Sequence, residues 1–246
     1  TVHHMSNGRL SLTLTPAGGG QLRWNGHAIT RWRPDRTTEG AGDHLFLRNR
    51  RGEVWSATPL PILGRLAHIE VRLAEDRAVF RRRHRGIRTE LEYRLSPESD
   101  ALVRRLVISN DRRRDRTVRL TSYAELVLGR PADDFAHPVF SKMFVRTEYV
   151  PELGALVAER RPRGRGDQPV WAGHLIEVEG GDPVDPRVET DRYHFLGRGR
   201  SVRNPASLEG KTLEQGSTGH VLDPIFSLSH RVVVPGGGNT TVYVWT

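Results

Sequence analysis

An all-β fold, built of antiparallel strands in a sandwich or barrel, is predicted by three features of the chain. Polar and apolar residues alternate with period two along most segments. Glycine, proline, asparagine and aspartate interrupt those segments at short spacing, as turns do. Convincing helical periodicity is scarce.

The first clear strand is residues 10–14, where Leu10, Leu12 and Leu14 alternate with Ser11 and Thr13 to give one buried face. Residues 16–20 form a turn that ends in Gly18, Gly19 and Gly20. Strands follow at 21–24 and 29–32, joined by the hairpin signal Asn25-Gly26. A polar loop is expected over 34–43, then strands at 44–47 and 54–56 around a turn at 49–52. A meander runs from 66 to 128. Within it, 78–82 and 87–95 flank a turn at 83–86, and Ile87, Thr89, Leu91, Tyr93 and Leu95 share a face. Strands at 102–109 and 118–124 flank the charged segment 110–116, which reads as a solvated hairpin end.

Residues 132–140 suit a short helix or an irregular connection. Strands are expected at 144–150 and 156–159, a flexible loop at 161–167, an apolar strand at 170–178 and a turn at 180–185. Val188, Tyr193 and Phe195 suggest a strand over 187–196 that runs into the loop Gly197-Arg-Gly-Arg-Ser-Val-Arg-Asn-Pro205. The chain closes with 221–228, 231–234, a turn at 235–238 and 240–245. With no internal repeat and no composition break, residues 1–246 read as one β domain. Thr1 does not resemble a natural start, and the chain reads as an excised domain.

The chain has 246 residues, 36% of them hydrophobic, which fits sheets with one wet face. The net charge is +9, carried almost entirely by arginine, with Lys142 and Lys211 the lysines. A nucleic-acid partner is not expected, because the basic runs are scattered and no aromatics interleave with them as a stacking platform. Without cysteine, disulfides and thiolate chemistry are excluded. No apolar run of about 18 residues predicts membrane insertion, and no secretory signal is present. The expected location is the cytoplasm.

Candidate chemistry is sparse. Asp133-Asp134, Glu189 with Asp191, and Asp223 read as surface or turn carboxylates. The eleven histidines lack metal spacing, and neither a Gly-x-Ser-x-Gly elbow nor a third glycine after Gly197-x-Gly199 is present. No catalytic residue, metal or cofactor is expected. Trp171 and Trp245 read as core. Trp24 and Trp32 stand beside arginines and could stack on a sugar. The glycine-rich segments 17–33 and 196–205 supply the candidate substrate or interface residues: Gly19, Gly20, Arg23, Trp24, Arg31, Trp32, Arg198, Arg200 and Asn204. Their arginines are expected on a surface facing a partner, or else in buried ion pairs with Asp191 or Glu189. Taken alone, the 196–205 loop reads as a solvated basic loop.

An ordered set of short motifs adds to this reading. It includes Ser6-Asn-Gly-Arg-Leu-Ser, Leu22-Arg-Trp, Ile29-Thr-Arg-Trp-Arg, Val54-Trp-Ser, Leu120-Thr-Ser-Tyr-Ala-Glu, His137-Pro-Val-Phe-Ser-Lys, Phe195-Leu-Gly-Arg-Gly-Arg and Val221-Leu-Asp-Pro-Ile-Phe-Ser-Leu. Together they resemble the N-terminal supersandwich domain of glycoside hydrolase family 94, formerly glycosyltransferase family 36, particularly the modules of cyclic β-1,2-glucan synthases. The resemblance implies a large two-sheet antiparallel β-supersandwich of the galactose-mutarotase-like kind. It also implies a partner, an (α/α)6 barrel of the same chain or a second subunit, which carries the catalytic acid. The chain itself would then be a non-catalytic carbohydrate-binding or architectural module that helps to handle a β-glucan oligosaccharide. The alternative is an autonomous mutarotase-like or glycoside-cleaving enzyme. Relatives carry Tyr-Ser after the three glycines; here Gln21-Leu22 stands instead, which removes one stacking aromatic.

Overall fold

A computed structural model describes residues 2–33, 42–62, 68–162, 164, 167–181, 184–209 and 216–246. Residues 34–41 of the expected polar loop, the start of the meander at 66, parts of the 161–167 loop and of the 180–185 turn, and Lys211 lie outside them.

The first strands are β1 (His3–Ser6), β2 (Leu10–Leu14), β3 (Gly20–Trp24), β4 (His27–Thr30), β5 (Asp43–Asn49), β6 (Val54–Ser56), β7 (His68–Ala74), β8 (Arg77–His84), β9 (Ile87–Leu95), β10 (Leu102–Asn110) and β11 (Arg116–Gly129). Two short helices, α1 (Pro131–Ala136) and α2 (Pro138–Lys142), follow, each opened by a proline whose missing N–H costs nothing at that position. Then come β12 (Val145–Val150), β13 (Ala155–Arg160), β14 (Val170–Val178), β15 (Val184–Asp191), α3 (Arg192–Leu196), a 3-10 turn at Ala206–Glu209, β16 (Pro224–Val234) and β17 (Asn239–Trp245).

Two antiparallel sheets result. Sheet one runs β1-β2-β3-β4-β11-β16-β15, with β5 and β6 added beside the first half of β11. Sheet two runs β12-β13-β14-β17-β10-β9-β8-β7. Their facing leucines, valines and phenylalanines, among them Leu12, Leu47, Phe80, Leu91, Leu106, Leu120 and Phe226, form one core. Each fully buried side chain of this size contributes roughly 1.5–3 kcal/mol. Turn chemistry sets the register. Asn25-Gly26 and Arg85-Gly86 both take positive φ, the two-residue turn that matches strand twist, and pair Trp24 with His27 and His84 with Ile87.

The strand β11 departs from simple alternation, because both of its faces are covered from Thr121 onward. One face meets the inter-sheet core. The other carries Tyr123, which packs with Phe46, Ile225, Phe195, Leu196, Val202 and Leu208 in a second cluster. This cluster corrects the expected strand at 187–196. The strand ends at Asp191, whose carboxylate accepts the Tyr193 N–H at 2.8 Å and caps α3. Helix α3 then lays Phe195 and Leu196 on the outer face of sheet one.

Two tryptophans are also corrected. Trp171 is exposed and Trp245 half-buried. Alternation along β14 sends Val170, His174 and Ile176 inward and Trp171 outward; along β17 it sends Val242 and Val244 inward and Trp245 outward. Strand β8 runs on through Arg83 and His84, so the turn expected at 83–86 narrows to Arg85-Gly86.

Polar groups cross the core between the sheets. Arg104 on β10 is fully buried and pairs with Asp43 of β5, and its Nη2 donates to Thr246 at 2.9 Å. Burial pushes the Asp43 carboxyl up, and the Arg104 charge opposes that push. His174 Nε2 lies 2.8 Å from Ser122 Oγ, joining β14 to β11. Arg82 Nη1 donates to the carbonyls of Ser56, Thr58 and Ile62 at 2.6–3.0 Å. Burial lowers this guanidinium to about 10.

Candidate functional site

The nine residues singled out from the sequence do not converge. Gly19 and Gly20 are buried within sheet one. A Cβ on Gly20 would stand 2.2 Å from the Thr13 carbonyl oxygen, so the close approach that demands glycine here comes from the paired strand, not from a ligand. Arg23 and Trp24 are half-buried on β3. The Trp24 Nε1 donates to Asp100 Oδ2 at 2.8 Å, beside the Arg9–Asp100 ion pair. Trp32 is half-buried. At the far end of α3, Arg198 is exposed, Arg200 pairs with Glu209 and donates to the Asn204 carbonyl, and Asn204 Oδ1 accepts from Ser201 N at 3.1 Å.

Arg31 corrects the surface expectation. It is 5% exposed, and its partners are neither Asp191 nor Glu189. Its Nε and Nη2 grip Asp134 of α1 at 2.9 and 2.6 Å, a bidentate fork. Nη1 reaches Glu125 of β11 at 3.2 Å and Asp223 at 3.7 Å. Lys142 of α2 meets the same Asp223 oxygen at 2.6 Å. Arg192, the first residue of α3, bonds Glu125 Oε1 at 2.9 Å and the Tyr123 hydroxyl at 3.1 Å, and the Tyr123 hydroxyl donates to Glu125 at 2.8 Å.

Three cations thus balance three carboxylates, Glu125, Asp134 and Asp223, at one end of sheet one. Burial opposes the Arg31 charge, but the hydrogen bond and charge of Asp134, then Glu125 and Asp223, hold its guanidinium above the usual range. Burial and then the Glu125 charge push the Tyr123 phenol well up, so it stays a donor. Glu189, on neighbouring β15, is held above the carboxylate range by burial, although the N–H groups of Asp191 and Thr190 and the nearby His194 pull it back. The arrangement suits a rigid, charge-compensated clamp that fixes α1, α2 and α3 to the sheet.

Sequence reasoning missed most of this network. Asp134 and Asp223 read as surface and turn residues, and Tyr123, Glu125, Lys142 and Arg192 were not singled out. The available signal was Asp133-Asp134 two residues after Pro131, an acidic first turn of a helix.

The clamp underlies an exposed apolar surface. Phe135 is 81% exposed, Leu222 beside Asp223 is 87% exposed, and Val139 and Met143 at α2 are exposed as well. Among the described residues there is no group of three or more His, Asp or Glu that could hold a metal, and no helix long and apolar enough to cross a membrane.

Comparison with known proteins places this geometry in context. The family described as glycosyl hydrolase 94, supersandwich domain, matches residues 1–246. The cyclic beta-(1,2)-glucan synthase NdvB of Rhizobium meliloti (strain 1021) is 37% identical over 243 residues, which is 98% of this chain but 9% of that protein. Among solved structures, the Slr1438 protein of Synechocystis sp. PCC 6803 shares the fold, with a TM-score of 0.51 at 9% identity over 100% of this chain and 95% of the other. A human-microbiome protein assigned as a kojibiose phosphorylase gives a TM-score of 0.49 at 8% identity, over 98% of this chain and 29% of the other.

Proposed function

Because the chain belongs to the glycosyl hydrolase 94 supersandwich-domain family, we propose that it is a non-catalytic, architectural module of a larger glycan-processing enzyme. It docks on an (α/α)6 barrel of that enzyme and helps shape the site where a β-glucan oligosaccharide is handled. The reading draws on the name of the Rhizobium meliloti relative for its substrate class and on that relative's greater length for the further domain. Within this reading, Arg23, Trp24, Trp32, Arg198, Arg200 and Asn204 are rim candidates for sugar or interface contacts, and Arg31, Gly19 and Gly20 act by supporting the fold.

The observation that carries the proposal is the apolar surface of α1 and α2. Phe135 and Val139 stand outward on helices of six and five residues, and Met143 at the end of α2 is exposed beside them in sequence. Helices this short owe their stability to what they pack against, and the clamp beneath them holds them rigid. Large apolar side chains exposed together on one short segment suit an interaction site.

The test is Phe135→Asp with Val139→Asp in the full-length enzyme. A charge placed in a packed interface is expected to reduce activity at least tenfold, while the isolated chain keeps its melting temperature. Unchanged activity in the full-length double variant would remove the docking role. Turnover of β-glucosides by the isolated chain, lost on Glu189→Gln, would move the chemistry onto this domain; Glu189 is the carboxyl to test because burial raises it and His194 lies 4.0 Å away.

A further inference from the structure

A cleft opens on the outer face of sheet one, lined by strands β5, β11, β15 and β16 and the 206–209 turn. Strand register sets Arg48, Arg119 and Arg231 directly opposite one another across three neighbouring strands. Like charges so placed oppose folding. Arg50 and Arg187 join them around a volume of about 280 Å³. Asp185 meets three of the five: it pairs with Arg119 and lies 3.6 Å from Arg187 and 3.2 Å from Arg231. One carboxylate shared among three arginines leaves the cleft strongly positive. The Arg48 Nε is buried without a hydrogen-bond partner among the described residues. Burial, and then the charge of Arg187, hold the Arg119 guanidinium below its ordinary range, against the pull of Asp185.

We propose that this cleft binds a phosphate group, free or carried as a monoester on a small hydroxylated body. Arginine forks match the oxygens of a phosphate, and its near-double negative charge at neutral pH offsets more of the surplus than a carboxylate does. Thr117 and Ser207 line the same space and offer hydroxyls to a body attached to the phosphate. The site does not depend on the docking role proposed for α1 and α2.

The test is calorimetric titration of the 246-residue chain with inorganic phosphate and, separately, with glycerol 3-phosphate. Saturable one-to-one binding of either is expected; tighter binding of the ester assigns the site to phosphomonoesters, and equal binding assigns it to the phosphate group alone. Arg231→Gln and Arg187→Gln each weaken binding about tenfold, and Asp185→Asn, which removes the competing carboxylate, strengthens it. Arg88→Gln, whose partner Asp111 lies elsewhere, changes nothing. Absence of saturable binding to both probes overturns the proposal. So does an equal loss in Arg88→Gln, which would mark a response to net charge alone.

Discussion

Buried histidines set a limit on the stability of the chain in acid. His230 lies on the inward face of β16, and burial, then the charge of Arg119, lower it to about 4. His174 is held well below its usual range, first by burial and then by the Arg104 charge. A histidine that is neutral in the fold binds fewer protons than the unfolded chain, so its penalty appears as pH falls through about 6.5 and grows until about 4. For His230 the window is worth about 3 kcal/mol. Denaturant melts between pH 7 and 4 should show stability falling with pH, and His230→Leu should flatten that slope. An identical slope in the variant would show that other groups carry the acid sensitivity. Such residues were not legible beforehand. Arg104, Arg82 and His174 occupy inward positions whose same-face neighbours include Leu102 and Leu106, Ala78 and Phe80, and Ile176 respectively, and a period-two pattern does not reveal which polar residue finds a partner across the core.

The helices were only half visible at the level of elements. Pro131, Pro138 and the broken alternation marked the region of α1 and α2, whereas α3 was hidden because Tyr193 and Phe195 alternate as they would in a strand. What decides against the strand is Asp191, an N-cap whose bond to Tyr193 N is local, and the apolar hollow formed by Phe46, Tyr123 and Ile225. Arg31 ties these helices to the sheet, since Asp134 belongs to α1 while Lys142 of α2 and Arg192 of α3 share Asp223 with it. Arg31→Ala leaves Glu125 and Asp134 without their shared cation and should cost about 3–5 kcal/mol, measured as a lower urea midpoint. A loss below about 1 kcal/mol would mean that the cluster is solvated and the helices are held by other contacts.

At the scale of the whole molecule, alternation and turn chemistry specify most of the strands, because each strand has one face toward a common core and each hairpin has its own turn residues. The pairing of β11 with β4 and β5 on one edge and β16 on the other is long-range and carries no local signature. The candidate site suffered for the same reason: Gly20, read as a ligand's approach, is a contact between strands, and of the carboxylates that matter Glu125 and Asp134 lie 94 and 103 residues from Arg31, with Asp223 farther still. The arginine excess likewise includes a buried structural share, the outer cleft, and exposed ion pairs such as Arg9–Asp100 and Arg88–Asp111. The central claim is that α1 and α2 form a docking surface for a further domain. Amide hydrogen exchange over residues 131–143, compared between the isolated chain and the full-length enzyme, tests it most directly. Slower exchange is expected there in the full-length enzyme, with the opposite end of the sandwich around Arg85-Gly86 unchanged; equal exchange over 131–143 in both would remove the docking role.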